Sequence, residues 1–195
     1  MFLTVPAALG YPALATLVFG ESTGVPLPGE TALITAGGLA ATAQLTLPAV
    51  VAVAAVAAIA GDTLGYWLGR RRGRRLFLRS GLMAAHRRRA IERADRLFAR
   101  HGAATVFFGR FIPGIRVVTA VTAGATHMPW RRFAACNALG ALTWATTVSS
   151  AAYLLGPSRA TMLALSGLAL TPLAVAIGWL YRRWTVANAR ASVAV

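Results

Sequence analysis

Residues 101–129 read HGAATVFFGRFIPGIRVVTAVTAGATHMP, an apolar stretch that carries Arg110 and Arg116 and is interrupted near its middle by Pro113-Gly114. Basic clusters stand at both ends, the arginines up to Arg100 before it and Arg131-Arg132 after it. Basic residues beside membrane segments mark the cytoplasmic side, so the stretch leaves from and returns to one face. It is too apolar for an aqueous loop. Proline removes a backbone donor and glycine permits a bend, which makes the stretch a hairpin that turns back inside the membrane. Irregular backbone at that depth is tolerated only where protein or a water-filled cavity surrounds it.

The rest of the chain agrees with a membrane setting. It is 57% hydrophobic and only 13% charged, and uncharged stretches at Met1–Gly20, Thr31–Gly61, Phe133–Ser158 and Ala160–Tyr181 each reach membrane length. A span needs about 20 mostly apolar residues. The net charge of +15 would by itself raise nucleic acid as a partner, but twelve of the twenty arginines fall between Arg70 and Arg100, where a cytoplasmic segment already accounts for them. No nucleic-acid partner is expected. Cys136 is the single cysteine, so an intrachain disulfide or a cysteine metal cluster is excluded. The first apolar run has no basic residue before it and contains Pro6 and Pro12, and a retained span is expected rather than a cleaved leader.

The amino-terminal half repeats the interrupted pattern. Gly20–Gln44 carries Pro26, Pro28 and Gly29, and Leu27-Pro28-Gly29 followed by Thr35-Ala36-Gly37 parallels Ile112-Pro113-Gly114 followed by Thr122-Ala123-Gly124. Interrupted apolar segments at corresponding places of two halves are the signature of an inverted repeat with a site near the midplane. The expected architecture is therefore an all-α membrane protein forming one domain over residues 1–195. It has about four transmembrane helices and two oppositely oriented re-entrant helical hairpins, at about 20–44 and 101–130. A basic cytoplasmic segment, 70–100, ends in an amphipathic helix whose Ile91, Ala94, Leu97 and Phe98 recur at helical spacing. Both termini are expected in the cytoplasm. Phe133–Pro157 crosses outward and Ala160–Tyr181 returns, with Arg159 in a short outer turn.

Ionisable groups in hydrocarbon are costly and face a partner, a cavity or a ligand. Glu21, Glu30, Asp62, Arg110 and Arg116 are the five in this position. Arg110 and Arg116 would diverge on an unbroken helix, and the Pro113-Gly114 break lets them converge into a site whose planar forks and half-helix amino ends suit a phosphate. Glu21 and Glu30 gain the same freedom from the Pro28-Gly29 interruption. Carboxylates in low dielectric can exchange protons near neutral pH; the alternative is that the pair forms only structural ion pairs with the two arginines. Asp62 lies beside the Gly61, Gly65 and Gly69 ladder, and Tyr66 one turn on can share its face.

These residues resemble a known family. Glu21 followed by Pro28-Gly29-Glu30, Gly61-Asp62 with Gly65-Tyr66 and Gly69-Arg70, Gly109-Arg110-Phe111-Ile112-Pro113-Gly114 with Arg116, and Asn137, Gly140 and Trp144 are similar to the motifs of DedA (SNARE-associated, VTT-domain) membrane proteins. The resemblance runs from about Phe19 to Trp144. It implies two opposed re-entrant hairpins and lipid transport in the inner membrane, with proton-coupled return of undecaprenyl phosphate as the bacterial activity and phospholipid scrambling as the eukaryotic one. It assigns phosphate binding to Arg110 and Arg116 and proton coupling to Glu21 and Glu30, with Asp62, Tyr66, Pro28, Gly29, Pro113 and Gly114 in support.

The partners on this reading are an anionic lipid phosphate, protons and membrane lipids, and a homo-oligomer is compatible with it. An uncoupled phospholipid scramblase, or an ion or oxyanion transporter, would use the same charges. An enzyme is not expected: H-E-x-x-H is absent, and His101 and His127 each stand alone, without partners placed for phosphotransfer. No cofactor, metal or catalytic residue is read from the chain.

Overall fold

The computed structural model describes residues 7–73, 102–112 and 115–191, and every regular element among them is helical. Helix α1 (Ala7–Thr23) ends at Gly24, whose φ of 99° is open to glycine without strain. The Gly24 and Val25 amides then close back on the carbonyls of Glu21 and Gly20, so the last turn satisfies its own acceptors before the chain reverses. Pro28 precedes α2 (Gly29–Ala40) and offers no side-chain cap. Helix α3 (Leu47–Leu68) starts with Pro48 in its first turn, where the missing donor costs nothing, and runs into a π-helical turn at Gly69–Gly73.

The second half repeats this order. A helix over 102–109 (α4) is followed by a break, then by α5 (Ile115–Ala125) and α6 (Trp130–Ala191). Both short second helices, α2 and α5, are followed by a non-glycine residue at positive φ, Ala43 at 57° and His127 at 55°. In the second case the His127 and Met128 amides bond to the Gly124 and Ala123 carbonyls, the same closure seen at Gly24.

Helix contacts are made by small residues. A side chain on Gly61 would meet Ser22 Cβ at 2.6 Å and the Phe19 carbonyl at 2.7 Å, and one on Gly37 would meet the Ser149 carbonyl at 2.7 Å. Backbones approach most closely between α3 and α5, where Gly69 faces the Val121 carbonyl and Gly124 faces the Tyr66 carbonyl, each too near for any Cβ. Such surfaces gain their energy from close van der Waals contact, as helices in lipid do. Two apolar cores result. One joins α1, α2, α3 and α6 around Leu14, Val18, Leu33, Val50 and Trp144; the other gathers Tyr66, Val106, Ala120, Met128 and Phe133.

Two helical stretches, Leu47–Gly73 and Trp130–Gly167, are long and apolar enough to cross a bilayer. The first 22 residues of the former are α3, most of which lies in the uncharged stretch Thr31–Gly61. The stretch Trp130–Ala191 is two helical limbs that meet in a kink at Gly156, where φ 75° and ψ 168° suit glycine alone, three residues before the outer turn expected at Arg159. Pro157 follows as the first residue of the second limb, with its carbonyl accepting from Thr161 Oγ1 at 2.7 Å. The expected amphipathic helix up to Arg100, and Pro113 and Gly114, lie outside the described residues.

Candidate functional site

Between the two cores lies a cluster of charge. Arg110 follows the last residue of α4, at a carboxyl end that favours a cation. Asp62 faces it from α3, 3% exposed against 4% for the arginine. Arg110 Nη1 donates to Asp62 Oδ2 at 2.5 Å and to Asn137 Oδ1 at 2.7 Å. Asn137, on α6, in turn donates through Nδ2 to the Ile59 carbonyl at 3.4 Å. Both bonds are made by the one nitrogen, so the guanidinium is held at its Nη1 end.

Arg116, on the first turn of α5, lies 2.9 Å through Nη2 from Glu21 Oε1, an ion pair close in distance but out of line for a hydrogen bond. The other oxygen of Glu21 accepts the Glu30 backbone N–H at 2.8 Å. That carboxylate therefore caps α2, whose own Pro28 cannot, and meets the positive end of the helix dipole. Gly29 makes this seat available: a side chain there would run into the Glu21 carboxylate and approach the Leu17 carbonyl to 2.9 Å.

Both guanidiniums stand over the face of Trp144, at 5.8 Å for Arg110 and 5.2 Å for Arg116. Together with Asp62, Thr119, Asn137 and Phe133 they line one cavity. It leaves about 10 Å³ open to the centre of a water molecule, room for a single water. Asp62 Oδ1 and Arg110 Nε and Nη2 are buried and have no hydrogen-bond partner among the described residues.

The five intramembrane charges are not all brought to one place. Arg110, Arg116 and Asp62 share the cavity; Glu21 touches its edge through Arg116, and Glu30 is joined to Glu21 by its backbone amide rather than by its carboxyl. Tyr66 points elsewhere. Its hydroxyl donates to the Met128 carbonyl at 2.5 Å and accepts from Arg70 Nη1 at 2.8 Å, while its ring stacks on Phe133 at 4.5 Å, so it ties the α3 end to the turn after α5. Pro28 and Gly29 act on the Glu21 seat. Sequence reasoning did not anticipate Asn137 as a partner of Arg110 or Trp144 as the floor under both arginines. An amide within an apolar run was the available signal for the first.

The arrangement defines a helical membrane protein with a buried, charge-paired site between two similarly ordered halves. Comparison narrows the class. The VTT domain family model matches residues 27–154. The chain is 37% identical over 147 residues to an uncharacterized membrane protein of Synechocystis, covering 75% of this chain and 67% of that one. It is 36% identical over 161 residues to an uncharacterized membrane protein of Mycobacterium tuberculosis, covering 78% and 72%. It is also 36% identical over 132 residues to the protein DedA of Escherichia coli, covering 67% and 60%. No solved structure matches the chain at a significant level. The chain belongs to the VTT-domain, or DedA, family of membrane proteins.

Proposed function

We propose that this protein carries an anionic lipid phosphate, of the undecaprenyl phosphate type, from the outer to the inner leaflet of the inner membrane together with protons. Arg110 and Arg116 bind the phosphate; Glu21 and Glu30 carry the protons. The observation that supports this most is the convergence of both guanidiniums on one buried cavity, with Nε and Nη2 of Arg110 unpartnered there among the described residues. Planar forks and the amino end of α5 beside Arg116 are the donors a phosphate monoester needs. The lipid tail stays in the bilayer while the head passes.

The lengths of α2 and α5 favour the re-entrant reading. Twelve and eleven residues rise about 18 and 16 Å, half of a hydrocarbon core of about 30 Å. The repeated order of helix, break, short helix and long span supports the inverted repeat, with four crossings in all and both termini inside. Coupling has an energetic rationale: moving one negative charge inward against an inside-negative potential costs about 2.3 kcal/mol per 100 mV, which accompanying protons offset.

One observation favours a second reading, an uncoupled scramblase. Glu21 is engaged on both oxygens, by Arg116 and by the α2 amide, as a structural residue would be. A flip assay in reconstituted vesicles separates the two. Undecaprenyl phosphate should cross faster than ordinary phospholipids and respond to a pH difference; equal rates for all headgroups with no response to pH would select the scramblase.

A further inference from the structure

We propose that Asp62 and Glu21 are resident anions that occupy the arginines a lipid phosphate would take, so that headgroup binding is an exchange of carboxylate for phosphate. The inference rests on the phosphate-site reading above and adds the competitor to it. A cavity with room for one water cannot admit a phosphate while both ion pairs are made. Neither arginine can simply be released, because a buried charge without its partner is strongly disfavoured. One anion therefore leaves as another arrives.

The two carboxylates are held differently. Glu21 can let go of Arg116 and keep its place, since its other oxygen remains on the Glu30 amide. Asp62 has Oδ2 on Arg110 and Oδ1 without a partner among the described residues, so its hold on the site is its hold on that one guanidinium. Asn137 accepts from the same Nη1 and keeps a hold on Arg110 when Asp62 leaves, and the orphaned Nε and Nη2 offer an incoming oxyanion donors that Asp62 leaves unused. Asp62 is on this account a specificity-determining residue: it sets how strongly an anion must bind to displace it.

Full-length protein in phosphatidylcholine nanodiscs provides the test, with farnesyl phosphate and inorganic phosphate as separate probes and calorimetry and thermal melting as readouts. Asp62→Asn should bind farnesyl phosphate about tenfold more tightly than wild type, within the usual range of coupling between competing groups. It should also gain more thermal stability from the probe than wild type does. Arg110→Ala in the Asp62→Asn background should abolish the gain. A gain with inorganic phosphate alone would support exchange while assigning the site to free phosphate rather than to a lipid head. Binding of both probes that is unchanged or weaker in Asp62→Asn, with Arg110→Ala still weakening them, overturns exchange and leaves the phosphate site standing. Indifference of both probes to Arg110→Ala and Arg116→Ala overturns the phosphate site itself. If Asp62→Asn does not fold, Glu21→Gln asks the same question at Arg116, and a failure to tighten there counts against the proposal.

Discussion

Cutting the Asp62–Arg110 pair from either side should cost far more than removing it whole. The two groups meet at 2.5 Å and are almost fully buried. At an effective dielectric near 20, unit charges about 4 Å apart attract by about 4 kcal/mol. Asp62→Asn or Arg110→Met alone leaves a charge without compensation, and each should destabilise the fold by about 3–5 kcal/mol. For a chain of this length that is roughly a 10 °C fall in melting temperature. The double variant has no orphaned charge and should recover at least about 2 kcal/mol relative to the sum of the singles. Unfolding in mixed micelles titrated with SDS, followed by tryptophan fluorescence, gives all four corners of the cycle. Singles that each cost under about 1 kcal/mol, or a double that equals their sum within about 0.5 kcal/mol, would refute the claim that this pair is an energetically coupled element of the core.

Four other outcomes follow from particular contacts. Gly156→Ala should destabilise by about 1–3 kcal/mol in the same titration through backbone strain alone, since φ is 75° and nothing lies within reach of the added methyl. Gly124→Ala should force α5 from the Tyr66 carbonyl and cost about 1–3 kcal/mol or more, with loss of protection of the Gly69 and Arg70 amides in hydrogen exchange. Glu21→Gln should cost about 1–3 kcal/mol by weakening both the Arg116 pair and the α2 cap, whereas Glu30→Gln should change stability by less than about 0.5 kcal/mol and reduce only the response of transport to a pH difference. Arg110→Lys keeps the charge but loses the planar guanidinium and its unused Nε and Nη2 donors, and lipid flip in vesicles should fall about tenfold or more.

What the sequence disclosed and what it concealed have separate physical origins. Most of α3 was legible as part of a span because it falls within the uncharged, apolar stretch Thr31–Gly61. The convergence of Arg110 and Arg116 was legible because a proline and a glycine stand between them and uncouple their directions. The pairing of charges was hidden. Asp62 and Arg110 are 48 residues apart, and no periodicity relates residues on different helices, so Asp62 stood out as a buried acid but not as the partner of Arg110. Asn137 was hidden for the same reason: an amide in a helix reveals that it needs a partner, not which neighbour supplies one. The outer turn was expected at Arg159, where a charge separates two apolar stretches, while the chain breaks three residues earlier at Gly156, where only a glycine reaches the required backbone angles.

The ion pairs cross from one half of the molecule to the other, Glu21 on α1 to Arg116 on α5 and Asp62 on α3 to Arg110 at the end of α4. Around them the helices meet through glycines and alanines, with a few directional bonds between the halves, from Tyr66 to the Met128 carbonyl and from Asn137 to the Ile59 carbonyl. Separating the halves would have to part these bonds, the shared apolar core and the charges, and the charges cannot part in low dielectric unless each finds another counter-ion. A ligand shifts such an equilibrium only by its differential affinity for the two arrangements. On the transport reading, a phosphate that satisfies the arginines is the kind of ligand that has this difference, because it removes the need for the carboxylates to stay. On that reading binding and opening become one event, and the ion pairs that hold the unliganded site together are the ones a phosphate would replace.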